Sequence, residues 1–387
     1  MIKTGLDIFV EEVPAWAKGK NLGLLCNQAS VGRGLLHARH LVAKVSEGKL
    51  KALFSPQHGL YSEKQDNMKE SEDGFDRFLE VPVFSLYGYS RIPSREQLSL
   101  IDLLLVDLQD CGTRVYTYLW TMFLAMKACA QYGVEVAVLD RPNPICGDVV
   151  EGNLLKEEFF SFVGMAPIPM RHGMTMGELA LYLKKWAKLD VELYVIPMKG
   201  WKRHMYFKDT GLEWVLPSPN MPRPETALVY PGQVILEGTN LSEGRGTTLP
   251  FEVFGAPYLD TAGILDQMGE IEGAILREQS FEPTFNKWQT HSCRGFQLHV
   301  LDKNRFMPYR FSLSFLSALN RIQKQAFSWT PPPYEYDFFH LPADLIIGDE
   351  NIRKMVEDGA LAQDFHHALK EDEEDFRKIR REFLLYS

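Results

Sequence analysis

Polar residues able to carry acid–base chemistry stand where three apolar runs stop. Gln57-His58 follow the run at residues 50–55, Asp107, Asp110 and Arg114 follow the run at 101–106, and Asp140-Arg141 and Asn143 follow the run at 134–139. Further along, Glu178, Glu237 and Glu243 lie beside glycines, in the company of Arg171-His172, Asn220, Asn240 and Arg245. Two carboxylates in unlike surroundings can divide into a proton donor and an ionised partner. An arginine can fork onto a substrate carboxylate. Asp110, Asp140, Glu178 and Glu63, the last in the acidic loop after Gln57, are therefore the acid–base candidates. Gln57, His58, Arg114, Arg141, Asn143, Arg171, His172, Asn220, Glu237, Asn240, Glu243 and Arg245 are candidates to hold a polar substrate, and Tyr116 offers a flat face to a sugar ring.

Each of these has a structural reading as well. Asp110, ahead of Gly112-Thr113, can cap the following helix. Asp140-Arg141 can form an internal ion pair, and Thr175 with Glu178 three positions later is a capping box. Glu243-Gly-Arg-Gly-Thr247 looks less structural, because two glycines around an arginine let backbone approach a ligand.

Short β-rich runs bounded by polar clusters read as strands buried on both faces. Strands are predicted at 22–26, 50–55, 81–86, 101–106, 134–139 and 192–197, with helices at 35–45, 95–100, 116–132 and 174–186. This alternation predicts an α/β fold, a Rossmann-like, doubly wound and mostly parallel sheet, whose strand carboxyl ends line one ligand-binding edge. Residues 216–224 are proline-rich and irregular, and the Gly-, Thr- and Ser-dense stretch at 230–257 wraps the rim. A strand at 296–300 and helices at 309–323, 351–358 and 363–380 predict a smaller α/β auxiliary domain, so the chain divides into residues 1–256 and 257–387.

With 387 residues, 45% of them hydrophobic, the chain can build two domains and a large core. Its net charge of −9 argues against nucleic acid or an anionic membrane as the main partner. The five cysteines lack CxxC spacing and read as reduced thiols. No signal peptide or membrane-spanning stretch is evident, which predicts a cytoplasmic protein without membrane insertion. Neither GxGxxG after the first strand, GxxxxGK[ST], HExxH nor GxSxG occurs, which disfavours a dinucleotide, P-loop, metalloprotease or serine-hydrolase function.

Five runs carry a family resemblance: Asp107-Leu-Gln-Asp-Cys-Gly-Thr-Arg-Val-Tyr-Thr-Tyr118, Leu139-Asp-Arg-Pro-Asn-Pro144, Arg171-His-Gly-Met-Thr-Met-Gly-Glu178, Pro217-Ser-Pro-Asn-Met-Pro222 and Glu237-Gly-Thr-Asn-Leu-Ser-Glu-Gly-Arg-Gly-Thr247. Together the chain resembles the exo-β-N-acetylmuramidase family, glycoside hydrolase family 171, formerly domain of unknown function 1343. The resemblance implies a Rossmann-like domain and a smaller auxiliary domain with the active site in the cleft between them. It implies release of N-acetylmuramic acid from the non-reducing end of peptidoglycan fragments, as in muropeptide recycling, with no metal or organic cofactor. One position departs from the pattern. Well-known members read Pro-Glu-His-Gly after the second strand, with that Glu a favoured catalytic candidate, and this chain has Gln57. Either Glu63 or Asp66 takes over, or the chemistry has changed. The alternatives are a carbohydrate-binding protein that has lost catalysis, or a nucleotide-sugar or phosphosugar enzyme.

Overall fold

The computed structural model describes residues 2–65 and 68–387. Among them, the larger sheet has seven strands: β1 (Leu22–Cys26), β2 (Leu50–Ser55), β3 (Gly74–Asp76), β4 (Val81–Ser85), β5 (Leu103–Asp107), β6 (Glu135–Leu139) and β7 (Leu193–Ile196). Their order is β3-β4-β2-β1-β5-β6-β7, and every neighbour pair is parallel except β3 with β4. Apart from the short β3 edge, the order runs outward in both directions from the β1–β5 pair. This is the doubly wound arrangement expected from the sequence.

The runs are apolar throughout because both faces are covered. On β5, Leu103 and Leu105 join the core beneath α1 (Gly5–Glu11) and α2 (Ala38–Val45), while Leu104 and Val106 join the core on the other face. That alternation is the two-residue period of a strand. The second face is covered by α4 (Tyr118–Tyr132) and α5 (Met176–Trp186); α3 (Arg95–Leu98) is a single turn leading into β5. α4 is apolar nearly all round, as a fully buried helix must be, and stops at Gly133 in the left-handed region (φ 72°). α5 starts from the expected Thr175–Glu178 capping box.

The C-terminal lobe contains α6 (Pro224–Gln233), β8 (Val253–Ala256), α7 (Thr261–Met268), β9 (Ala274–Phe281), β10 (Cys293–Val300), α8 (Pro308–Gln323), α9 (Pro342–Ile347), α10 (Glu350–Glu357) and α11 (Ala362–Arg380). Its antiparallel sheet has the order β8-β10-β9. β8 pairs with β10, so this sheet takes in residues upstream of the 256/257 division expected from the sequence. β9 mixes buried, half-buried and exposed positions and is interrupted by the polar residues Arg277, Glu278, Gln279 and Ser280, and α6 contains Pro231. Neither carries the apolar run or unbroken helical pattern that sequence reading depends on. One apolar core joins the lobes: Phe54, Val106 and Trp120 belong to the same buried cluster as Phe254, Phe296 and Leu345.

Candidate active site

Most of the acids at the strand edge are consumed by structure. Asp140, fully buried, accepts hydrogen bonds from the Thr175 hydroxyl (2.7 Å), the Tyr386 hydroxyl (2.5 Å) and the amides of Gly177 (2.8 Å) and Arg141 (3.1 Å). Glu178 is held by both Arg203 terminal nitrogens (2.6 and 3.0 Å) and by the amides of Thr175 and Leu385. The last residues fold over this edge, where the Arg203 amide donates to the Ser387 carbonyl. Asp110 closes a turn by accepting from the Gly112 amide (2.7 Å) and lies 3.4 Å from His172 Nε2, itself completely buried. These placements give Asp140 and Glu178 structural roles in place of the expected catalytic ones; Asp110 keeps Oδ1 without a hydrogen-bond partner among the described residues but lies outside the cleft described below. Glu63 is exposed, beside Gly59, and does not line the cleft described below. Asp66 lies outside the described residues.

Several expected binding residues are structural too. Arg114, with no exposed surface, donates to the carbonyls of Asn153, Ile168, Ile346 and Ile347, tying the large sheet to the end of α9. Arg141 forks onto Asp107 (2.6 and 2.9 Å), the internal ion pair having formed with Asp107 rather than Asp140. Asn143 bonds the Met174 carbonyl and the Ile145 amide, and Arg171 donates to the Ile145 carbonyl. His172 accepts from the Met174 amide. Asn240 donates to Ala326 and accepts from Tyr258 and Ser328. None of these lines the cleft.

Six predicted residues do converge. Gln57, His58, Tyr116, Asn220, Glu237 and Arg245 line one narrow cleft between the lobes, with Thr117, Ser218, Tyr230, Phe251, Tyr334 and Glu335. The turn after β2 presents Gln57 and His58. His58 is left-handed (φ 73°) and donates through Nδ1 to the Lys64 carbonyl (2.7 Å). The 217–222 run is pinned because the Pro217 carbonyl accepts from Asn27 Nδ2 (2.7 Å), the Tyr118 hydroxyl (2.5 Å) and the Ser62 hydroxyl (3.1 Å). That anchor sets Asn220, whose amide donates to the Gln65 carbonyl (2.9 Å).

Glu237 receives Arg245 (2.7 Å) on one oxygen and the Tyr334 hydroxyl (2.7 Å) on the other. Behind Arg245 stands Glu243 (3.3 Å), itself paired with Lys287 (3.0 Å), so Glu243 positions the arginine instead of touching the cleft. Burial opposes charge on Arg245, but the two carboxylates prevail and keep it protonated. Gly244 is obligatory here: its φ is 79° and a Cβ would stand 2.1 Å from the Val253 carbonyl oxygen.

Glu335 escaped the sequence reading. It sits with Tyr336 at the centre of a tight turn closed by paired hydrogen bonds between Tyr334 and Asp337, and both central residues are left-handed (φ 46° and 68°). Such turns normally take Asn or Gly; a larger residue there is strained and marks a site worth functional attention. Its carboxylate accepts from the Tyr87 hydroxyl (2.9 Å), faces Gln57 Nε2 at 3.4 Å and lies 3.9 Å from Arg91. Burial pushes its carboxyl above the usual range, against the pull of Tyr87, Arg91 and Gln57. The available signal was Tyr-Glu-Tyr directly after three prolines at 331–333, an acid held between aromatics in a stiffened loop.

Beyond Asn220 the cleft adjoins an open cavity of about 720 Å³, lined by Thr247, Thr248, Pro250 and Phe285 among others. Among the described residues, no three metal-binding side chains converge, and no helix is long and apolar enough to cross a membrane.

Two buried carboxylates in unlike settings, set among amides, aromatic faces and an arginine at the junction of two α/β lobes, can divide into a proton donor and an ionised partner, the division that glycoside cleavage uses. The chain belongs to the exo-β-N-acetylmuramidase NamZ family: residues 22–225 match its N-terminal domain and residues 228–386 its C-terminal domain. It is 39% identical to the peptidoglycan β-N-acetylmuramidase NamZ of Bacillus subtilis (strain 168), over 100% of this chain and 91% of that protein. Crystal structures of two DUF1343 family proteins from Bacteroides fragilis are similar throughout. One has a TM-score of 0.89 at 32% identity and the other 0.78 at 29%, each over 100% of this chain and 99% of the other.

Proposed function

We infer that this chain, an exo-acting glycoside hydrolase of peptidoglycan, removes terminal N-acetylmuramic acid and does so in the cleft between its lobes. The observation that carries the assignment to the cleft is the meeting there of Glu237 and Glu335, buried carboxylates with unlike neighbours. In this reading the Arg245-bound Glu237 is the ionised member. His58 and Asn220 are placed to meet sugar hydroxyls or the N-acetyl group, and Tyr116 the ring. Among Arg141, Arg171 and Arg245, the candidates for the lactyl carboxylate of the sugar, Arg245 lines the cleft and the other two do not. The inner cleft as it stands has about 40 Å³ free, room for water alone. The terminal sugar therefore enters by displacing side chains at the Asn220 side, and the rest of the glycan lies in the adjoining open cavity. A cytoplasmic setting is supported by the five buried, unpaired cysteines.

Incubation with chromogenic N-acetylmuramide, N-acetylglucosaminide and glucoside tests the reading. Release from the muramide alone is expected, and equal turnover of the glucosaminide would refute the proposed sugar specificity. Sugar binding without hydrolysis would instead favour a carbohydrate-binding protein, and stabilisation by UDP-sugars or sugar phosphates a phosphosugar enzyme.

A further inference from the structure

We propose that Glu335 is the proton donor to the leaving sugar oxygen, and that Gln57 is a positioning residue for it. This rests on the cleft being the site of glycoside cleavage, as inferred above. The amide of Gln57 has no acidic proton to give, so any proton donor acting at the turn after β2 comes from elsewhere in the chain. Glu335 is the carboxyl that the C-terminal lobe brings there: Oε1 stands 3.4 Å from Gln57 Nε2 and Oε2 2.9 Å from the Tyr87 hydroxyl. The orientation of Gln57 is fixed by Thr117, whose hydroxyl donates to Gln57 Oε1 (2.6 Å) and so turns the NH2 toward Glu335. An ionised Glu at position 57 could not make that donation and would repel Glu335 instead. The strained turn carrying Glu335 is thus held by Gln57 and Tyr87 on the opposing lobe.

Among the described residues, the ionisable or charged groups around Glu335 include Tyr87 and Arg91 from the segment after β4, Glu237 from the turn after α6, Tyr230 from α6 and Tyr334 beside it. Burial, the largest influence, and Glu237 favour the protonated form; the Tyr87 hydroxyl, Arg91 and the Gln57 amide favour the ionised one and are outweighed. In the reaction, the proton of Glu335 passes to the glycosidic oxygen as the bond from that oxygen to the anomeric carbon breaks, and the bonding pair leaves with the oxygen. Water, the second substrate, adds its hydroxyl to the anomeric carbon. Its other proton returns to the carboxylate pair, so the proton count is restored at each turnover.

The test compares substrates by leaving group. Glu335→Gln should lose about a hundred- to ten-thousand-fold in kcat/KM on N-acetylmuramyl-N-acetylglucosamine, the usual worth of general acid catalysis. It should be slowed far less on 2,4-dinitrophenyl N-acetylmuramide, whose leaving group needs no proton. Tyr87→Phe, which deletes only the hydroxyl, removes a hydrogen bond to the ionised form; the alkaline limb of its kcat/KM profile should move to higher pH. An active wild-type enzyme with equal losses of Glu335→Gln on both substrates, or an unmoved limb in Tyr87→Phe, would overturn the assignment of Glu335 alone. A wild-type chain inert on every glycoside would overturn the glycosidase reading, and this proposal with it.

Discussion

Asp140 and Glu335 are both carboxylates shut away from solvent, and burial raises the pKa of both. They differ in what occupies their oxygens. A carboxylate offers about four acceptor sites. Asp140 receives four donors, from Thr175, Tyr386, Gly177 and Arg141, and has nothing left for a substrate. Among the described residues, Glu335 receives the Tyr87 hydroxyl and a long contact from Gln57, and it faces a cleft. Burial and a raised pKa therefore do not by themselves mark an active-site acid. Open acceptor positions that face the cleft set Glu335 apart from Asp140; Asp110 at the strand edge also keeps an unpartnered oxygen among the described residues, Oδ1, but lies outside the cleft. The largest test of the division is Glu237→Gln. It keeps an oxygen and an NH2 in place of the carboxylate but removes the ionised partner. kcat should fall on the order of a hundred- to ten-thousand-fold while the folded protein persists by circular dichroism; near-normal kcat would put Glu237 with the structural acids.

The opposite outcome is expected at the strand edge. Asp140→Ala strands the Thr175 and Tyr386 hydroxyls and two backbone amides, each an unsatisfied buried donor costing roughly 1–3 kcal/mol. Allowing for relaxation, urea unfolding should show a loss of about 3 kcal/mol, with kcat of the folded fraction unchanged. A catalytic defect without a stability defect would reverse the comparison.

The fold was legible because strands covered on both faces must be apolar, and such runs are conspicuous: β1 and β2 match the expected bounds. The Gly-rich and Pro-rich runs likewise led to Asn220, Glu237 and Arg245, since a ligand-facing loop needs glycine and fixed turns. What sequence could not disclose was which acids would be covered. Asp140 and Glu178 are sealed by Tyr386 and Leu385, more than two hundred positions away, and no local pattern announces that contact. Glu335 was missed for the complementary reason: its turn has no periodicity, and its meaning comes from Gln57 and Tyr87 on the other lobe.

Glu151 isolates burial from both roles. It is fully buried, accepts from the Arg310 amide (2.9 Å), and lies outside the cleft. Burial pushes its pKa from 4.5 up to about 7. The folded state thus binds this proton more tightly than the unfolded chain, so the contribution is present at low pH and is lost as pH rises from about 4.5 to about 7. At 1.36 kcal/mol per unit this amounts to about 3 kcal/mol at most. Glu178, also pushed up to about 7 by burial against the pull of Arg203, slopes the same way. Glu151→Gln should flatten the fall in Tm across that window without moving the pH profile of kcat/KM. A slope identical to wild type would mean that Glu151 stays ionised.

The smallest effects divide two asparagines that sequence alone treated alike. Asn240 ties its loop to the β8–α7 connection and to the chain after α8, through the Ala326 carbonyl (2.8 Å), the Tyr258 hydroxyl (2.7 Å) and the Ser328 amide (3.2 Å). Asn220 donates to the Gln65 carbonyl, at the lip shared by the cleft and the open cavity. Replacing Asn240 with alanine should cost about 1–2 kcal/mol by chemical denaturation, the scale of lost hydrogen bonds partly replaced by water, and leave KM as it was. Replacing Asn220 with alanine should leave Tm nearly unchanged and raise KM about tenfold, the equivalent of one substrate hydrogen bond of roughly 1.4 kcal/mol. If the two variants exchanged these signatures, the substrate would have to approach the 240–247 loop from outside the cleft, and the division drawn between structural and functional polar groups would fail at its finest scale.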